Sequence, residues 1–199
     1  MINFINISND EPYERFISYY NLAKKNQQNI IEAISINSFS KTSNEVNSRY
    51  VNLKYIKENE WIFFSNYDSP KSKEFMQHDQ ICATFFWDSI NTQIRIKAKI
   101  SKSSSKFSDI HYANRNVEKN ILAHSSEQSK IISSYKDVEK KYNLIKSQKD
   151  KIKSRPKNWG GFSFYPYYFE FWEGHASRLN KRECFLLLDK EWKKNFLEP

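Results

Sequence analysis

The spacing of hydrophobic positions predicts two long helical regions in this chain. In residues 9–27, aromatic and aliphatic side chains recur at the helical period, which places them near one face of a helix. Asp10 is suited to cap that helix, and Pro12 to occupy its first turn. Residues 104–149 show the same period, with breaks near residues 114–116 and near Ser125.

Elsewhere hydrophobic and polar positions alternate, or short runs of Ile, Val and aromatic residues occur, and both patterns predict β-strands. The predicted strands cover residues 30–37, 48–56, 60–66, 80–87, 91–101, 161–165, 167–173, 177–188 and 192–197. A short helix over residues 69–77, with Ser69 as its cap, separates two of them. Short strands in meander order, with helices in the gaps, predict a mainly β (α+β) domain: an antiparallel barrel with helices packed outside.

Composition agrees with one domain over residues 1–199, because a chain of 199 residues can bury a core that folds alone. Only 39% of the residues are hydrophobic but 16% are aromatic, so we expect a core built from large rings. The expected core rings include Trp61, Phe63, Phe85 and Trp87.

Three further observations bear on the compartment. No run of about 18 apolar residues occurs, so no membrane-spanning helix is predicted. The first residues lack the pattern of a secretory signal. Cys82 and Cys184 are isolated, which is typical of reduced, structural thiols. We therefore expect a cytoplasmic protein.

The net charge of +9 is compatible with nucleic acid, an anionic membrane or a phosphorylated small molecule as partner. The densest lysine run, residues 140–157, alternates lysine with polar residues at helical spacing, which is typical of a solvated helix face. His78, His124 and His175 are isolated, and His, Cys, Asp and Glu residues nowhere have the spacing of metal ligands. We predict no metal site, no nucleic-acid partner and no membrane partner.

The segment from Pro156 to Arg182 carries the most informative chemistry. All three glycines of the chain lie in it, together with two of the five tryptophans. Glycine this scarce is expected where the chain turns tightly or where the backbone approaches another group closely. Trp172 is followed by two cations, Arg178 and Arg182, and the whole set suits a planar, anionic ligand.

A second candidate binding segment is the strand at residues 49–54. Alternation places its two cations on opposite faces, Arg49 with Val51 and Leu53, and Lys54 with Tyr50 and Asn52. Both cations could meet one anion if the strand bends. The helix that begins after Ser69 could bind phosphate beside Lys71, although the cap role of Ser69 explains that position equally well. Gln93 could hydrogen-bond the edge of a heterocycle, whereas a surface glutamine is the commoner meaning.

Taken in order, these segments resemble the pyridoxamine 5′-phosphate oxidase family, FMN-dependent enzymes that make pyridoxal 5′-phosphate. The resemblance runs from about residue 9 to the C-terminus. Its motifs are RYVNLK at 49–54, FFSNYDSPK at 63–71, TQIRIKAK at 92–99, HYANRNVEKNILAHSSEQS at 111–129 and NWGGF…EFWEG…RLNKR at 158–182, followed by Trp192 and the terminal LEP. The resemblance implies an FMN-binding split β-barrel, a homodimer with FMN at the subunit interface, and a dimerisation segment at about residues 156–199.

The same resemblance implies a reaction and a site. The reaction is the oxidation of pyridoxamine or pyridoxine 5′-phosphate to pyridoxal 5′-phosphate, with dioxygen as acceptor and hydrogen peroxide as product. The implied FMN contacts are Arg49, Tyr50, Val51, Asn52, Leu53, Lys54, Phe64, Ser65, Lys71, Gln93, Gln128, Ser129, Trp172 and Arg182, with Gln128 and Ser129 reaching across from the partner subunit. The implied substrate contacts are Lys54, His111, Arg115, Lys119, Arg178 and Asn180, with Arg178 as the catalytic residue over the pyridine ring.

Several positions depart from the residues usual in that family. It has tyrosine at His111, proline at Asn116, serine at Lys119 and histidine at Asn180, and on the flavin side arginine at Pro70 and tyrosine at Phe64. Most FMN positions are kept, whereas substrate positions differ. Two alternatives follow: a relative that keeps FMN but oxidises a different substrate, as phenazine-pathway flavin oxidases do, or a non-catalytic protein that binds flavin or nucleic acid.

Overall fold

A computed structural model of the chain describes residues 1–148 and 150–199. The strands are β1 Asn3–Ile5, β2 Ala33–Ser40, β3 Glu45–Asn52, β4 Tyr55–Lys57, β5 Glu60–Asn66, β6 Gln80–Trp87, β7 Thr92–Lys102, β8 Trp159–Glu173, β9 Lys181–Leu188 and β10 Glu191–Phe196. The helices are α1 Glu11–Lys25, α2 Pro70–Gln77, α3 Ser105–Ala113, α4 Val117–Ser125 and α5 Tyr135–Ser147, with 3₁₀ turns at Asp88–Ile90 and Lys151–Lys153. None of these helices is long and apolar enough to cross a lipid bilayer.

All the strands belong to one curled sheet, in the order β1-β4-β5-β8-β7-β6-β2-β3, with β9 beside β8 and β10 beside β9. Neighbouring strands are antiparallel except β1 and β4, which are parallel. The end strands β1 and β3 do not pair with each other, so the sheet is a split barrel and not a closed one. The mainly β prediction with flanking helices is confirmed, but the fully antiparallel barrel is corrected to a mixed sheet.

The core is aromatic, as predicted. Trp61, Phe63, Phe85 and Trp87 are each at most 1% exposed. Helix α1 packs on this core through Phe16, whose ring centroid lies 4.6 Å from that of Trp61 and 5.5 Å from that of Phe85. Truncating such a ring to alanine typically costs about 3–5 kcal/mol, so α1 is a structural part of the barrel.

Four predicted strands are divided, merged or shortened in the structure. Residues 48–56 form two strands, because the chain breaks at Leu53, whose N–H donates to the Glu32 carbonyl at 2.9 Å. The predicted pair 161–165 and 167–173 is the single strand β8, in which Tyr167 is an unpaired bulge residue facing β7. The predicted strand 177–188 begins only at Lys181, and residues 174–180 form a loop. Strand β1 was not predicted.

The helical region breaks where its sequence predicts, at residues 114–116 and after Ser125; Lys149, the last residue predicted in it, lies outside the described residues. Asp10 and Ser69 occupy N-cap positions, but neither side chain makes the capping hydrogen bond. The Asp10 carboxylate accepts instead from Ser8 Oγ at 2.7 Å, and the Ser69 hydroxyl donates to the Asn66 carbonyl at 2.7 Å.

The scarce glycines are places of close approach, not of tight turns, since none has a positive φ. A Cβ on Gly161 would collide with Ser103 Oγ, and one on Gly160 with the Tyr67 hydroxyl. Both glycines belong to β8 where it pairs with β5, so the strands there are held close to side chains from neighbouring loops.

Both cysteines are free thiols. Cys184 is buried and Cys82 is partly buried.

Candidate functional site

One cleft of about 710 Å³ opens where β3 ends, and its volume lies within the range usual for small-molecule sites. Its walls come from the β3–β4 junction, the end of β5, the start of α2 and the segments around α3 and α4. The lining residues are Met1, Asn3, Arg49, Tyr50, Val51, Asn52, Lys54, Phe64, Ser65, Pro70, Lys71, His111, Arg115, Asn116, Lys119, Gln128, Ser129 and Trp159.

Both cations of the 49–54 segment line this cleft, Arg49 from β3 and Lys54 from the junction beyond its end. The break at Leu53 and Lys54 supplies the bend that this requires. Leu53 itself is fully buried in the core and does not line the cleft, so its side chain is placed away from the predicted ligand.

The first corner of the cleft is formed by Lys71 at the start of α2, with Arg49 beside it. Lys71 is 7% exposed, and its Nζ donates to Ser69 Oγ at 3.1 Å. Burial, with a smaller contribution from Arg49, lowers the pKa of Lys71 to about 8. A buried ammonium attracts an anionic ligand, and the partial positive charge at the N-terminus of the helix attracts it as well.

Arg49 is held in place by Glu74, a residue that sequence reasoning missed. Arg49 Nη2 donates to Glu74 Oε2 at 2.9 Å, and Asn47 Nδ2 donates to Glu74 Oε1 at 3.1 Å. Ser38 Oγ also donates to the Glu74 carboxylate, and Glu74 as a whole is only 6% exposed. In the sequence, the feature that could have pointed to Glu74 is its position one helical turn after Lys71 on α2.

The second corner of the cleft is an aromatic stack. The Phe64 ring lies 3.7 Å from that of His111 with an interplanar angle of 9°, and 5.4 Å from that of Trp159 with an angle of 13°. The Arg115 guanidinium carbon lies 4.4 Å from the Trp159 ring centre. Tyr55 Oη lies 2.9 Å from His111 Nδ1. Sequence reasoning assigned no site role to Trp159 or Tyr55.

This second corner is strongly positive. No carboxylate among the described residues lines the cleft, and Glu32, the anion paired with Lys54, has its Oε1 3.7 Å from Lys54 Nζ. Burial, then the charges of Arg115, Lys54 and Lys119, lower the pKa of His111 to about 4, so its imidazole is neutral near pH 7. Burial also lowers the pKa of Arg115. Arg115 Nη1 is buried and has no hydrogen-bond partner among the described residues. An unpaired buried donor of this kind costs free energy until an acceptor arrives.

Gln128 and Ser129 line the cleft of their own chain, whereas the resemblance implies that the partner subunit supplies these two residues. Gln128 Oε1 accepts from Ser65 Oγ at 3.2 Å and from the Asn66 N–H at 3.4 Å. The loop after α4 therefore closes one wall of the cleft without any partner subunit.

A second group of predicted residues lies away from the cleft. Gln93, Trp172 and Arg182 are cross-strand neighbours on β7, β8 and β9, and we call them the outer-sheet row. Arg182 is engaged within the chain: Nη2 donates to Glu170 Oε1 at 2.8 Å and Nη1 to the Glu198 carbonyl at 2.8 Å.

Arg178 and Asn180 lie in the loop 174–180, beside this row and outside the cleft. Arg178 is exposed and has a φ of 60°. The Asn180 side-chain oxygen accepts from the His175 N–H at 3.0 Å, which closes the loop. One copy of the chain therefore does not bring all the predicted site residues together.

Comparison with known proteins gives sequence relatives over nearly the full length. A family model described as "Pyridoxine 5'-phosphate oxidase C-terminal dimerisation region" matches residues 159–199. A pyridoxine/pyridoxamine 5′-phosphate oxidase of Christiangramia forsetii is 38% identical over 195 residues, which cover 96% of this chain and 89% of the relative. The protein of the same name from Actinobacillus pleuropneumoniae serotype 5b is 32% identical over 189 residues, covering 95% and 88%.

Two solved structures have a similar fold. PhzG from Burkholderia lata, in complex with tetrahydrophenazine-1-carboxylic acid, superposes with a TM-score of 0.89 at 19% identity, covering 96% of this chain and 93% of that one. A pyridoxamine 5′-phosphate oxidase-related, FMN-binding protein from Nostoc punctiforme superposes with a TM-score of 0.78 at 10% identity, covering 96% and 99%.

Proposed function

Because the chain belongs to the pyridoxine/pyridoxamine 5′-phosphate oxidase family, we propose that it is an FMN-dependent oxidase of phosphorylated pyridines. Its reaction would convert pyridoxamine or pyridoxine 5′-phosphate to pyridoxal 5′-phosphate, with dioxygen as acceptor and hydrogen peroxide as product. The observation that carries this proposal is that a single cleft has two cationic corners, as a site for two phosphate-bearing molecules requires.

The residues present fit FMN. Lys71 and Arg49 would hold its phosphate, because charged N–H donors make short, strong hydrogen bonds to phosphate oxygens. The adjoining wall offers Ser65 and Gln128 as hydrogen-bonding groups and Phe64 as a flat apolar surface. When bound, FMN supplies the two-electron redox chemistry, and the protein supplies binding, orientation and electrostatics.

The second corner would hold the phosphate of the substrate. Lys54, Arg115 and Lys119 provide positive charge there, and His111 provides a neutral hydrogen-bond donor. The buried, unpartnered Nη1 of Arg115 would gain an acceptor when that phosphate binds. With the phosphate fixed by these residues, the pyridine ring would have a defined orientation in the cleft, and orientation of this kind lowers a reaction barrier without any acid–base pair.

The outer-sheet row has its role in a homodimer. Gln93, Trp172 and Arg182 of one copy, with Arg178 from the adjacent loop, would cover the cleft of the other copy. The match of residues 159–199 to a dimerisation region supports this arrangement, because that segment includes β8, β9 and β10. Arg178 would then lie flat over the pyridine ring, as a guanidinium does on aromatic faces.

A second candidate is a relative that keeps FMN and oxidises another substrate. The observation that favours it is the changed substrate corner: His111, Lys119 and Asn180 depart from the family's usual residues, and the Asn180 amide is used to close its own loop. A phenazine precursor is one such substrate, since the similar fold of PhzG was solved with a tetrahydrophenazine carboxylic acid.

Flavin reduction separates the two candidates. The purified protein is reconstituted with FMN, made anaerobic, and mixed in turn with pyridoxamine 5′-phosphate, pyridoxine 5′-phosphate and a reduced phenazine carboxylate. We expect the phosphorylated pyridines to bleach the flavin absorbance, and admitted dioxygen to restore it with one peroxide per turnover. Bleaching by the phenazine alone would favour the second candidate, and no bleaching by either phosphorylated pyridine would overturn the first.

A matched pair of lysine variants tests the assigned corner. Lys54→Met should weaken binding of pyridoxal 5′-phosphate by about 10- to 100-fold, the loss typical of a hydrogen bond to a charged group. Lys57→Met, three positions along the chain and exposed, should leave binding unchanged. Equal effects of the two substitutions would show that Lys54 acts only through general charge.

A further inference from the structure

Tyr55 and His111 form a hydrogen-bonded pair whose geometry is well defined. Tyr55 Oη lies 2.9 Å from His111 Nδ1, and the two rings meet edge to face at 86°. The Tyr55 ring is fixed by Phe107, 5.1 Å away, and the His111 ring by its stack on Phe64. Neither ring can turn without losing these contacts, so the hydrogen bond has one orientation.

The charges around His111 decide its protonation. Lys54 comes from the β3–β4 junction, Arg115 from the segment between α3 and α4, and Lys119 from α4. Phe64 and Trp159, on β5 and β8, contribute only ring faces. Because the charged neighbours that perturb it are all cations and the ring is half-buried, His111 is neutral until very acid pH, with a pKa of about 4.

A neutral imidazole has one N–H and one acceptor nitrogen, and the hydrogen bond at one nitrogen decides the role of the other. Tyr55 is the only hydrogen-bonding partner of His111 among the described residues, and it faces Nδ1. If the phenol donates to Nδ1, the proton of the imidazole must lie on Nε2, and His111, which lines the cleft, becomes a hydrogen-bond donor at that nitrogen.

We propose that Tyr55 is a positioning residue, which donates its hydroxyl proton to His111 Nδ1 and so holds the imidazole as an Nε2–H donor for the substrate's phosphate. This inference rests on the proposed function for the identity of the phosphate. A neutral donor adds a hydrogen bond to a corner that already has Lys54, Arg115 and Lys119, without adding a further charge to be desolvated.

The arrangement also couples phosphate binding to protons. A bound dianion next to Nε2 stabilises the imidazolium, so the pKa of His111 must rise when phosphate binds. Binding should therefore take up a fraction of a proton at mildly acid pH. The His111→Gln variant keeps a hydrogen-bond donor but loses the titrating group, so it should bind phosphate without this uptake.

The test is a long-range ¹⁵N spectrum of the protein labelled at histidine, which reports the tautomer of each imidazole. The chain has only four histidines, and His111→Gln identifies the signal of His111. We expect the Nε2–H tautomer in the wild type at pH 7, and a mixture of tautomers in Tyr55→Phe. Tyr135→Phe, an exposed tyrosine on α5, should leave the signal unchanged.

Binding gives the second readout. Pyridoxal 5′-phosphate should shift the His111 signal, and Tyr55→Phe should weaken its binding by about two- to tenfold, the loss typical of one neutral hydrogen bond. An Nδ1–H tautomer in the wild type, or a Tyr55→Phe spectrum identical to the wild type, would overturn the proposal. The wild-type spectrum decides the matter even if the variant fails to fold. Since neither readout needs turnover, a negative oxidase assay would count against the proposed function only.

Discussion

Replacing Lys71 by methionine should stabilise the apoprotein but weaken flavin binding. Lys71 is 7% exposed, and its ammonium donates to a serine hydroxyl instead of a carboxylate. Methionine has nearly the same length without the charge, so the substitution removes the cost of burying an ammonium and leaves the packing of α2 intact. The binding of FMN should suffer, because Lys71 is one of the two cations proposed for its phosphate.

The size of the effect follows from the pKa of Lys71, which lies at about 8 in the folded chain against 10.5 for an ordinary lysine. Each pKa unit is worth about 1.4 kcal/mol, so charging this lysine costs the folded state at most about 3 kcal/mol. Solvent at the mouth of the cleft screens the charge and reduces the cost to about 1–2 kcal/mol. The cost is present in full below pH 8, and it disappears as the pH rises from 8 to 10.5.

The measurement is urea denaturation of the apoprotein at pH 7 and at pH 10. We expect Lys71→Met to be more stable than the wild type by about 1–2 kcal/mol at pH 7, with a smaller difference at pH 10. The affinity for FMN, measured by quenching of flavin fluorescence, should fall about 10- to 100-fold. Lys73→Met is the matched control, since Lys73 lies on the same helix and is exposed.

Two results would refute this reasoning. If Lys71→Met destabilises the apoprotein more than Lys73→Met does, then favourable interactions of Lys71 outweigh the cost of burying its ammonium. If FMN binds both variants equally well, the first corner of the cleft is not the phosphate site.

Three further predictions follow from the same structure. Arg178→Ala should lower kcat by about tenfold or more in the oxidase assay, by loss of its contact with the ring, but should leave FMN bound; unchanged kinetics would contradict its role. Trp172→Ala should weaken both dimerisation and FMN binding by about tenfold, because hot-spot aromatics contribute about 1–2 kcal/mol or more at interfaces. Analytical ultracentrifugation and flavin fluorescence measure the two effects, and if both stay unchanged, the outer-sheet row does not cover a partner's cleft. Because burial lowers the pKa of His111 to about 4, the folded state loses stability as the pH falls from 6.5 towards 4. In urea denaturation at pH 4.5, His111→Gln should remove about 1 kcal/mol of that loss after allowance for screening, whereas His175→Gln should not.

The elements with strong periodicity could be read from the sequence. Helix α1 and strands β5, β6 and β7 lie within a residue or two of their predicted bounds. Helix α1 and strands β6 and β7 each bury one regular face, and β5 is a compact run of aromatic and branched side chains. The strand at 48–56 was predicted as continuous, since Leu53 fits the alternation. Only its buried position and its hydrogen bond to the Glu32 carbonyl show the break.

The loop at 174–180 escaped prediction for a similar reason. Residues 177–180 fall within a predicted strand because their polar and apolar residues alternate, whereas the shape of the loop depends on local hydrogen bonds. The Arg178 N–H donates to the His175 carbonyl at 2.9 Å, and the His175 N–H donates to the Asn180 side chain at 3.0 Å. Strand β1 was missed because three residues carry too little pattern, and its pairing with β4 depends on a distant segment.

Motifs and periodicity were enough to predict the family, the mainly β architecture and most of the residues that line the cleft, because they are properties of neighbouring positions. They did not reveal Glu74 behind Arg49, Tyr55 against His111, or the separation of Gln93, Trp172 and Arg182 from the cleft. Those relations join residues that are far apart in the chain. They depend on which strands the sheet pairs and how it curls, and only the tertiary structure decides that.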